Sequence, residues 1–185
     1  MSTSSQTEQK QRLRRAALDG RKSGHKCSHA HSQLLIDLAW EQRVKTVACF
    51  ISFGDEPNTN VFLKHCQLDE KIILYVPRVT GEDLEWVVFD EEQIRHPLGM
   101  AEPVGNAVEL ESVDLMVVPA LAADRHGRRL GRGKGFYDRA LAGISAKLTV
   151  AVIHDDELVD RVPVEDHDKS VEVVCTCSEL IFINR

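Results

Sequence analysis

Four short runs of this chain are apolar at nearly every position: TVACFI (46–51), IILYV (72–76), VDLMVV (113–118) and LTVAVI (148–153). A strand with one wet face alternates apolar and polar residues, whereas one without alternation is covered on both faces. Such strands need layers above and below them, and the intervening sequence supplies helices. Residues 28–43 carry Ala30, Leu34, Leu35, Leu38 and Ala39 at helical spacing, and residues 58–67 read as a shorter helix. Near the start, Ser5 and Glu8 form a capping box for a helix over 7–18 that turns Leu13, Ala16 and Ala17 inward, with Gly20 and Gly24 breaking it. LEWVVF (84–89) reads as a strand at an edge, and VEVVCT (171–176) and LIFI (180–183) as two more short strands. Pro77 is expected to stop the second run and Pro119 the third. The alternation predicts an α/β protein, a three-layer α/β/α single domain over residues 1–185 with a mostly parallel or mixed sheet.

Charge and cysteine content narrow the function classes. The net charge of −6 argues against a general binder of nucleic acid or anionic membrane. No apolar run reaches the roughly 18 residues of a membrane span. The beginning, MSTSSQTEQKQRLRR, lacks the apolar centre of a secretory signal. Five cysteines without such a signal read as reduced thiols in a cytoplasmic protein. His25, Cys27, His29 and His31 crowd into HKCSHAH, where helical spacing pairs His25 with His29 and Cys27 with His31. That spacing could hold a metal, but no fourth ligand is apparent, and a solvated helix face is the simpler reading.

Against the acidic background one stretch concentrates positive charge. GRRLGRGKGFYDR (127–139) follows the third strand and precedes a helix, with Gly131, Gly133 and Gly135 at alternate positions among cationic side chains. In an open parallel sheet such a loop lies at the carboxyl ends of the strands, where ligands bind. Glycine lets backbone N–H groups approach an anion, and a helix start adds partial positive charge. Arg128, Arg129, Arg132 and Lys134 add full charges suited to phosphate oxygens. The common templates do not fit: no Ser or Thr follows Gly133-Lys134 as a Walker A loop requires, and the glycines run G-x-G-x-G rather than G-x-G-x-x-G. The loop is therefore an anion site of uncommon type, fitted to a polyphosphate or a phosphorylated intermediate. A solvated turn and an arginine-glycine nucleic-acid motif are the alternatives; the latter usually repeats in disordered tails.

PALAADRHGRRLGRGKGFYDRAL (119–141) resembles the signature of the 5-formyltetrahydrofolate cyclo-ligases, and further elements fall in that family's order. They are Lys10 and Arg14; Glu56 and Thr59 in FGDEPNT; VPR at 76–78; Glu102 and Pro103; and His167 and Asp168. The chain departs from the pattern at Ala120 and Ala123, at Phe136 in place of a tyrosine, and at Glu172 in place of a frequent aspartate.

The resemblance implies a CoA-transferase-like α/β fold, a monomer, and the ATP-dependent closure of 5-formyltetrahydrofolate to 5,10-methenyltetrahydrofolate. It assigns ATP to Lys10, Arg14, Arg129, Leu130, Gly131, Arg132, Gly133, Lys134, Gly135, Phe136 and Tyr137. It assigns the folate to Ile51 and Glu56 together with residues 132–136, and Mg2+ to Asp138 and Asp168. Arg132, Lys134 and Phe136 lie nearest the transferred group in that scheme. Small molecules, not nucleic acid or membrane, are the expected partners. A diverged paralogue with another substrate, or a regulatory protein that binds nucleotide or RNA through the basic loop, would keep the loop without the reaction. A pure RNA patch has no need of Glu56, Asp138 and Asp168 beside it.

Overall fold

The computed structural model describes residues 3–22, 24, 30–90, 93–95 and 101–183. In chain order the helices are α1 (Thr3–Lys22), α2 (Ala30–Glu41), α3 (Asn60–Leu68) and α4 (Phe136–Gly143). The strands are β1 (Thr46–Cys49), β2 (Ile73–Thr80), β3 (Asp83–Val88), β4 (Gln93–Arg95), β5 (Ala101–Pro103), β6 (Ala107–Val108), β7 (Ser112–Pro119), β8 (Ala122–Ala123), β9 (Arg129–Leu130), β10 (Ser145–Val152), β11 (Val173–Cys175) and β12 (Leu180–Phe182). Among the described residues no helix is long and apolar enough to cross a membrane.

One sheet has the order β12-β11-β10-β7-β1-β2-β3-β6. Its middle, from β11 to β2, is parallel, and β12, β3 and β6 add antiparallel edges. The four continuously apolar runs are β1, β2, β7 and β10, the centre of this mixed sheet. Their successive residues serve opposite faces, as the period of two in a strand demands. Leu115 and Val117 of β7 join Leu35 and Leu38 of α2 and Phe62 of α3 on one face. Met116 and Val118 join Ala140 and Leu141 of α4, with Ile144 just beyond it, on the other. Helices thus cover both faces, and the three-layer α/β expectation holds.

Several local expectations are corrected. Strand β2 runs through Pro77 instead of stopping there. Its partner β1 pairs only as far as Tyr75, so the N–H that proline lacks has no neighbour to bond on that side. Strand β3 is not an edge, because the two residues of β6 pair outside it. Helix α1 continues through Gly20, where a side chain would lie 3.6 Å from Asp156 Oδ2, and Ala16 faces solvent rather than the core. Leu13 packs instead on Ala122, Leu130 and Val162. Ala122 and Leu130 belong to a hairpin, β8–β9, inserted between β7 and the glycine loop. Cys49, Cys66 and Cys175 are buried free thiols, and burial pushes the latter two up to about 12. Cys177 instead is disulfide-bonded, against the reading of all five as reduced. Of the HKCSHAH cluster only His31 lies in the described residues; it is buried on α2, with Nε2 2.8 Å from Ile153 O, rather than on a solvated face.

Candidate active site

The β8–β9 hairpin sets the position of the glycine loop, and buried Asp124 sets the hairpin. Its carboxylate accepts hydrogen bonds from the backbone N–H groups of His126 (2.9 Å), Arg128 (3.2 Å) and Val162 (2.8 Å), and from Arg128 Nε at 2.6 Å. A fully buried carboxylate persists only when paired and hydrogen-bonded, and this one is both. Arg128 is thereby committed to the hairpin and does not line the cavity described below, contrary to its expected place among the anion-binding charges. From Leu130 the chain leaves the hairpin into residues 131–135 and enters α4 at Phe136, with Gly135 as N-cap at φ 72°.

A cavity of about 730 Å³ opens beside this loop. It lies at the carboxyl ends of the parallel strands, because the segment after β1 (Phe50, Ile51, Ser52, Phe53) and the one after β7 (Ala120, Leu121) form part of its wall. The loop and the first turn of α4, residues 129–138, form another part, and Asp168 completes that end. Arg14 also lines it, with Nε donating to Gly131 O at 2.9 Å. At Gly133, φ 94°, a Cβ would sit 3.3 Å from the Arg14 guanidinium carbon, so this arginine lies directly across the loop.

Two carboxylates and two cations meet at one end. Arg129 Nη2 donates to Asp138 Oδ1 at 2.7 Å, and that oxygen also accepts from Lys169 N at 3.2 Å. Arg129 is only 5% exposed, and its Nε has no hydrogen-bond partner in the structure. Burial lowers its pKa, against the opposing pull of Asp138 and Asp168. Asp168 Oδ2 accepts from Lys10 Nζ at 2.6 Å and from Glu165 N at 2.7 Å. Burial disfavours the Asp168 anion, but Lys10 and the Glu165 amide outweigh it and hold the carboxyl below its ordinary range. Lys10 Nζ also meets Glu165 Oε2 at 2.9 Å; burial disfavours its charge, yet these bonds raise its pKa. Lys10 does not line the cavity. It stands behind Asp168, one helical turn before Arg14.

At the other end, Glu56 binds Arg132 through Oε1 (3.0 Å to Nη2, 3.2 Å to Nε) and caps its own turn by accepting Phe53 N through Oε2 at 3.1 Å. Ile51, Phe53, Leu84, Phe89 and Phe136 give this end an apolar lining, and Arg78 and Glu102 face it too. Arg139 steadies the loop–helix junction. It stacks over Phe136 at 5.6 Å, donates to Lys134 O at 3.3 Å and to Asp83 at 2.8 Å, and binds Glu82 O. Tyr137 is partly buried and packs against both core clusters, and desolvation there, with Glu56 and Cys49 adding to it, raises its phenol well above the usual value. Its ring is a wall of the cavity and a spacer between layers.

Apart from Arg128, held in the hairpin, and Lys10, which reaches the cavity only through Asp168, the site residues assigned from sequence fall around one cavity. Arg21 also lines the cavity and was missed. It donates to Ala120 O at 2.7 Å and forms a buried pair with Glu157. A signal existed: Arg21 lies seven residues beyond Arg14, two turns on the same helical stripe. Gly20 concealed it by suggesting that the helix had ended. Of the departures, Ala120 and Ala123 are buried, and Glu172 accepts Thr149 N at 2.9 Å away from the cavity wall.

Geometrically the cavity joins a cation-rich main-chain cup to an apolar slot that also carries Glu56 and Glu102. A model of the 5-formyltetrahydrofolate cyclo-ligase family matches residues 3–177. The chain is 36% identical over 142 residues to the 5-formyltetrahydrofolate cyclo-ligase of Mycolicibacterium smegmatis, covering 71% of this chain and 73% of that one. It is 32% identical over 145 residues to the enzyme of the same name from Escherichia coli K12, covering 73% and 79%. Among solved structures, the NMR structure of Aquifex aeolicus 5,10-methenyltetrahydrofolate synthetase superposes with a TM-score of 0.80 at 26% identity, over 95% of this chain and 93% of that one. A Mycoplasma pneumoniae 5,10-methenyltetrahydrofolate synthetase has a TM-score of 0.71 at 19% identity over 90% and 97%, a likeness of fold.

Proposed function

The chain belongs to the 5-formyltetrahydrofolate cyclo-ligase family of enzymes, and on that premise we propose that it uses ATP and Mg2+ to close 5-formyltetrahydrofolate to 5,10-methenyltetrahydrofolate, releasing ADP and phosphate. The observation that carries the reading is the cavity itself. Bare main chain at residues 131–135, crossed by Arg14 and flanked by Arg129, Arg132 and Lys134, faces the same space as the apolar slot of Ile51, Phe136 and Glu56.

The chemistry asks for that juxtaposition. The formyl group on N5 is an amide whose oxygen leaves poorly. Transfer of the γ-phosphoryl forms a bond from phosphorus to the formyl oxygen and breaks its bond to ADP. N10 then attacks the activated carbon, loses its proton to solvent or phosphate, and the carbon–oxygen bond breaks to release inorganic phosphate. Positioning and charge stabilisation dominate such a transfer. Backbone N–H groups of the loop, the N-terminus of α4 and the side chains of Arg132 and Lys134 hold the phosphoryl group throughout. Arg14 clamps the loop through Gly131 and offers its remaining N–H groups to a phosphate. Arg129, buried with an unpartnered Nε, is a fixed cation awaiting an anion. Phe136 and Ile51 sandwich the pterin, and Glu56 accepts hydrogen bonds from its donor edge once Arg132 turns toward phosphate.

The residues present also fit Mg2+. Asp138 and Asp168 are both on the cavity wall, and oxygen donors from few carboxylates, completed by water, suit this hard cation. When bound it would neutralise phosphate oxygens; Asp138 and Asp168 would hold it.

The test is spectroscopic. The methenyl product absorbs in the near ultraviolet where the formyl substrate does not. Purified protein with ATP, Mg2+ and 5-formyltetrahydrofolate should give a rise that depends on each component. Absence of any ATP-dependent rise would overturn the proposal.

A further inference from the structure

Lys10 is the residue whose place in the structure least resembles its expected role. A phosphate-binding lysine would line the cavity, but Lys10 is not part of its wall; its ammonium lies 2.6 Å from Asp168 Oδ2 and 2.9 Å from Glu165 Oε2, in a side chain 6% exposed. The cluster it enters has the size of a cation site. Glu165, His167 and Asp168 each offer a ligand atom, and these atoms all lie within 4.8 Å of one another. The neighbouring carboxylate is treated alike: Arg129 neutralises Asp138 at 2.7 Å, while its buried Nε stays unpartnered at the cavity wall. Asp138 and Asp168 are thus both occupied by cations of the chain itself.

We propose that the Lys10 ammonium is a resident substitute for the divalent cation, lodged between Glu165 and Asp168 until nucleotide draws it toward phosphate, so that cation and nucleotide bind by exchange. Glu165 thereby joins Asp168 as a residue of the cation site. The proposal rests on the reading of this cavity as a nucleotide and cation site. Its physical basis is charge. A divalent cation arriving alone meets an ammonium already seated on the carboxylates. A polyphosphate arriving alone finds Lys10 and Arg129 held by Asp168, Glu165 and Asp138. When both arrive, the anion takes the ammonium and the cation takes the carboxylates, and neither penalty remains. Lysine suits this role because a point charge on a four-carbon stem with rotatable bonds can serve two stations, which a rigid guanidinium fork cannot. Binding free energies so linked are reciprocal.

The experiment uses Lys10→Met, which keeps the buried methylene packing and removes the ammonium. Mn2+ binding to nucleotide-free protein is measured by electron paramagnetic resonance. The variant is expected to bind Mn2+ about tenfold more tightly than wild type, within the usual range of site-to-site coupling. Adding Glu165→Gln should abolish that gain. A second readout stands if Lys10→Met folds poorly. Glu165→Gln alone loosens the ammonium, so a fluorescent ATP analogue in EDTA should bind about fivefold more tightly than to wild type. A bridge whose only role is to order the cluster predicts weaker binding in both measurements, because its loss lets Glu165 and Asp168 scatter. Mn2+ affinity in Lys10→Met at or below the wild-type value, or unchanged or weakened analogue binding in Glu165→Gln, overturns the exchange. Failure of the underlying reading is separate: wild type would then not bind the analogue even with Mn2+ present.

Discussion

Replacing Gly131 by alanine separates two reasons for a glycine in the loop. At Gly133 and Gly135 the backbone has φ of 94° and 72°, and the Cβ positions lie 3.3 Å from the Arg14 guanidinium and 2.7 Å from Arg139 Nη1. Any side chain there strains the chain itself. Gly131 has no such constraint: its φ is ordinary, and a Cβ would come no closer than 3.6 Å to Arg129 Nη1, an ordinary contact. On the folded protein alone, alanine should be neutral or stabilising by about 0.4–1 kcal/mol through the lost freedom of the unfolded chain. For a chain of this size that is about 1–4 °C in Tm. If glycine is there so that a phosphate can approach the main chain, the added methyl displaces it and weakens a charge-assisted hydrogen bond. That costs about 1.5–3 kcal/mol, or roughly 10- to 150-fold in Kd. Thermal unfolding and titration with a non-hydrolysable ATP analogue measure the two effects on one sample. Raised or unchanged Tm with weakened nucleotide binding is the expected result. Unchanged nucleotide affinity would refute the cup of bare backbone, and a large fall in Tm would refute the claim that Gly131 is structurally idle.

Glu56→Gln should weaken 5-formyltetrahydrofolate far more than ATP, measured by competition binding, because an amide presents a donor where the pterin needs an acceptor; equal folate affinity would remove Glu56 from that end of the cavity. Glu157→Ala strands Arg21, which is 3% exposed and bonded to both carboxylate oxygens of Glu157 at 2.5 and 2.9 Å, so chemical denaturation should report a loss of about 3–5 kcal/mol. Asp114 receives the N–H groups of Lys45 and Thr46 and the ammonium of Lys147. Although burial acts against it, these partners lower its pKa to about 2. A carboxyl depressed in the folded state contributes stability above its unfolded pKa of about 4 and loses it as pH falls through the folded value. The difference in unfolding free energy between wild type and Asp114→Asn should therefore shrink from pH 4 to pH 2, and a constant difference would contradict the assignment.

The central strands were legible because burial on two faces leaves a mark that needs no knowledge of neighbours: β1, β2, β7 and β10 are apolar without alternation. The glycine loop was legible for a similar reason, since alternate glycines among cations have no use in a packed core. The edges were not. Whether Pro77 ends a strand depends on how far β1 extends alongside, and whether β3 is an edge depends on two residues of β6 that carry no pattern. The hairpin β8–β9 is too short for periodicity, and a single buried residue, Asp124, organises it through bonds to three backbone N–H groups.

The sequence by itself determined the α/β class, the place of the glycine loop at the carboxyl ends of the strands, and a set of residue types suited to an anion. Those properties follow from local periodicity and from side-chain chemistry, which each residue carries with it. Only the tertiary structure decided which charges are free to act. Arg128 is bound to Asp124, Arg129 to Asp138, Arg132 to Glu56, and Lys10 to Asp168 across 158 residues of chain. The strength of a charge pair depends on its separation and on the water excluded around it, and neither quantity exists until distant segments have met.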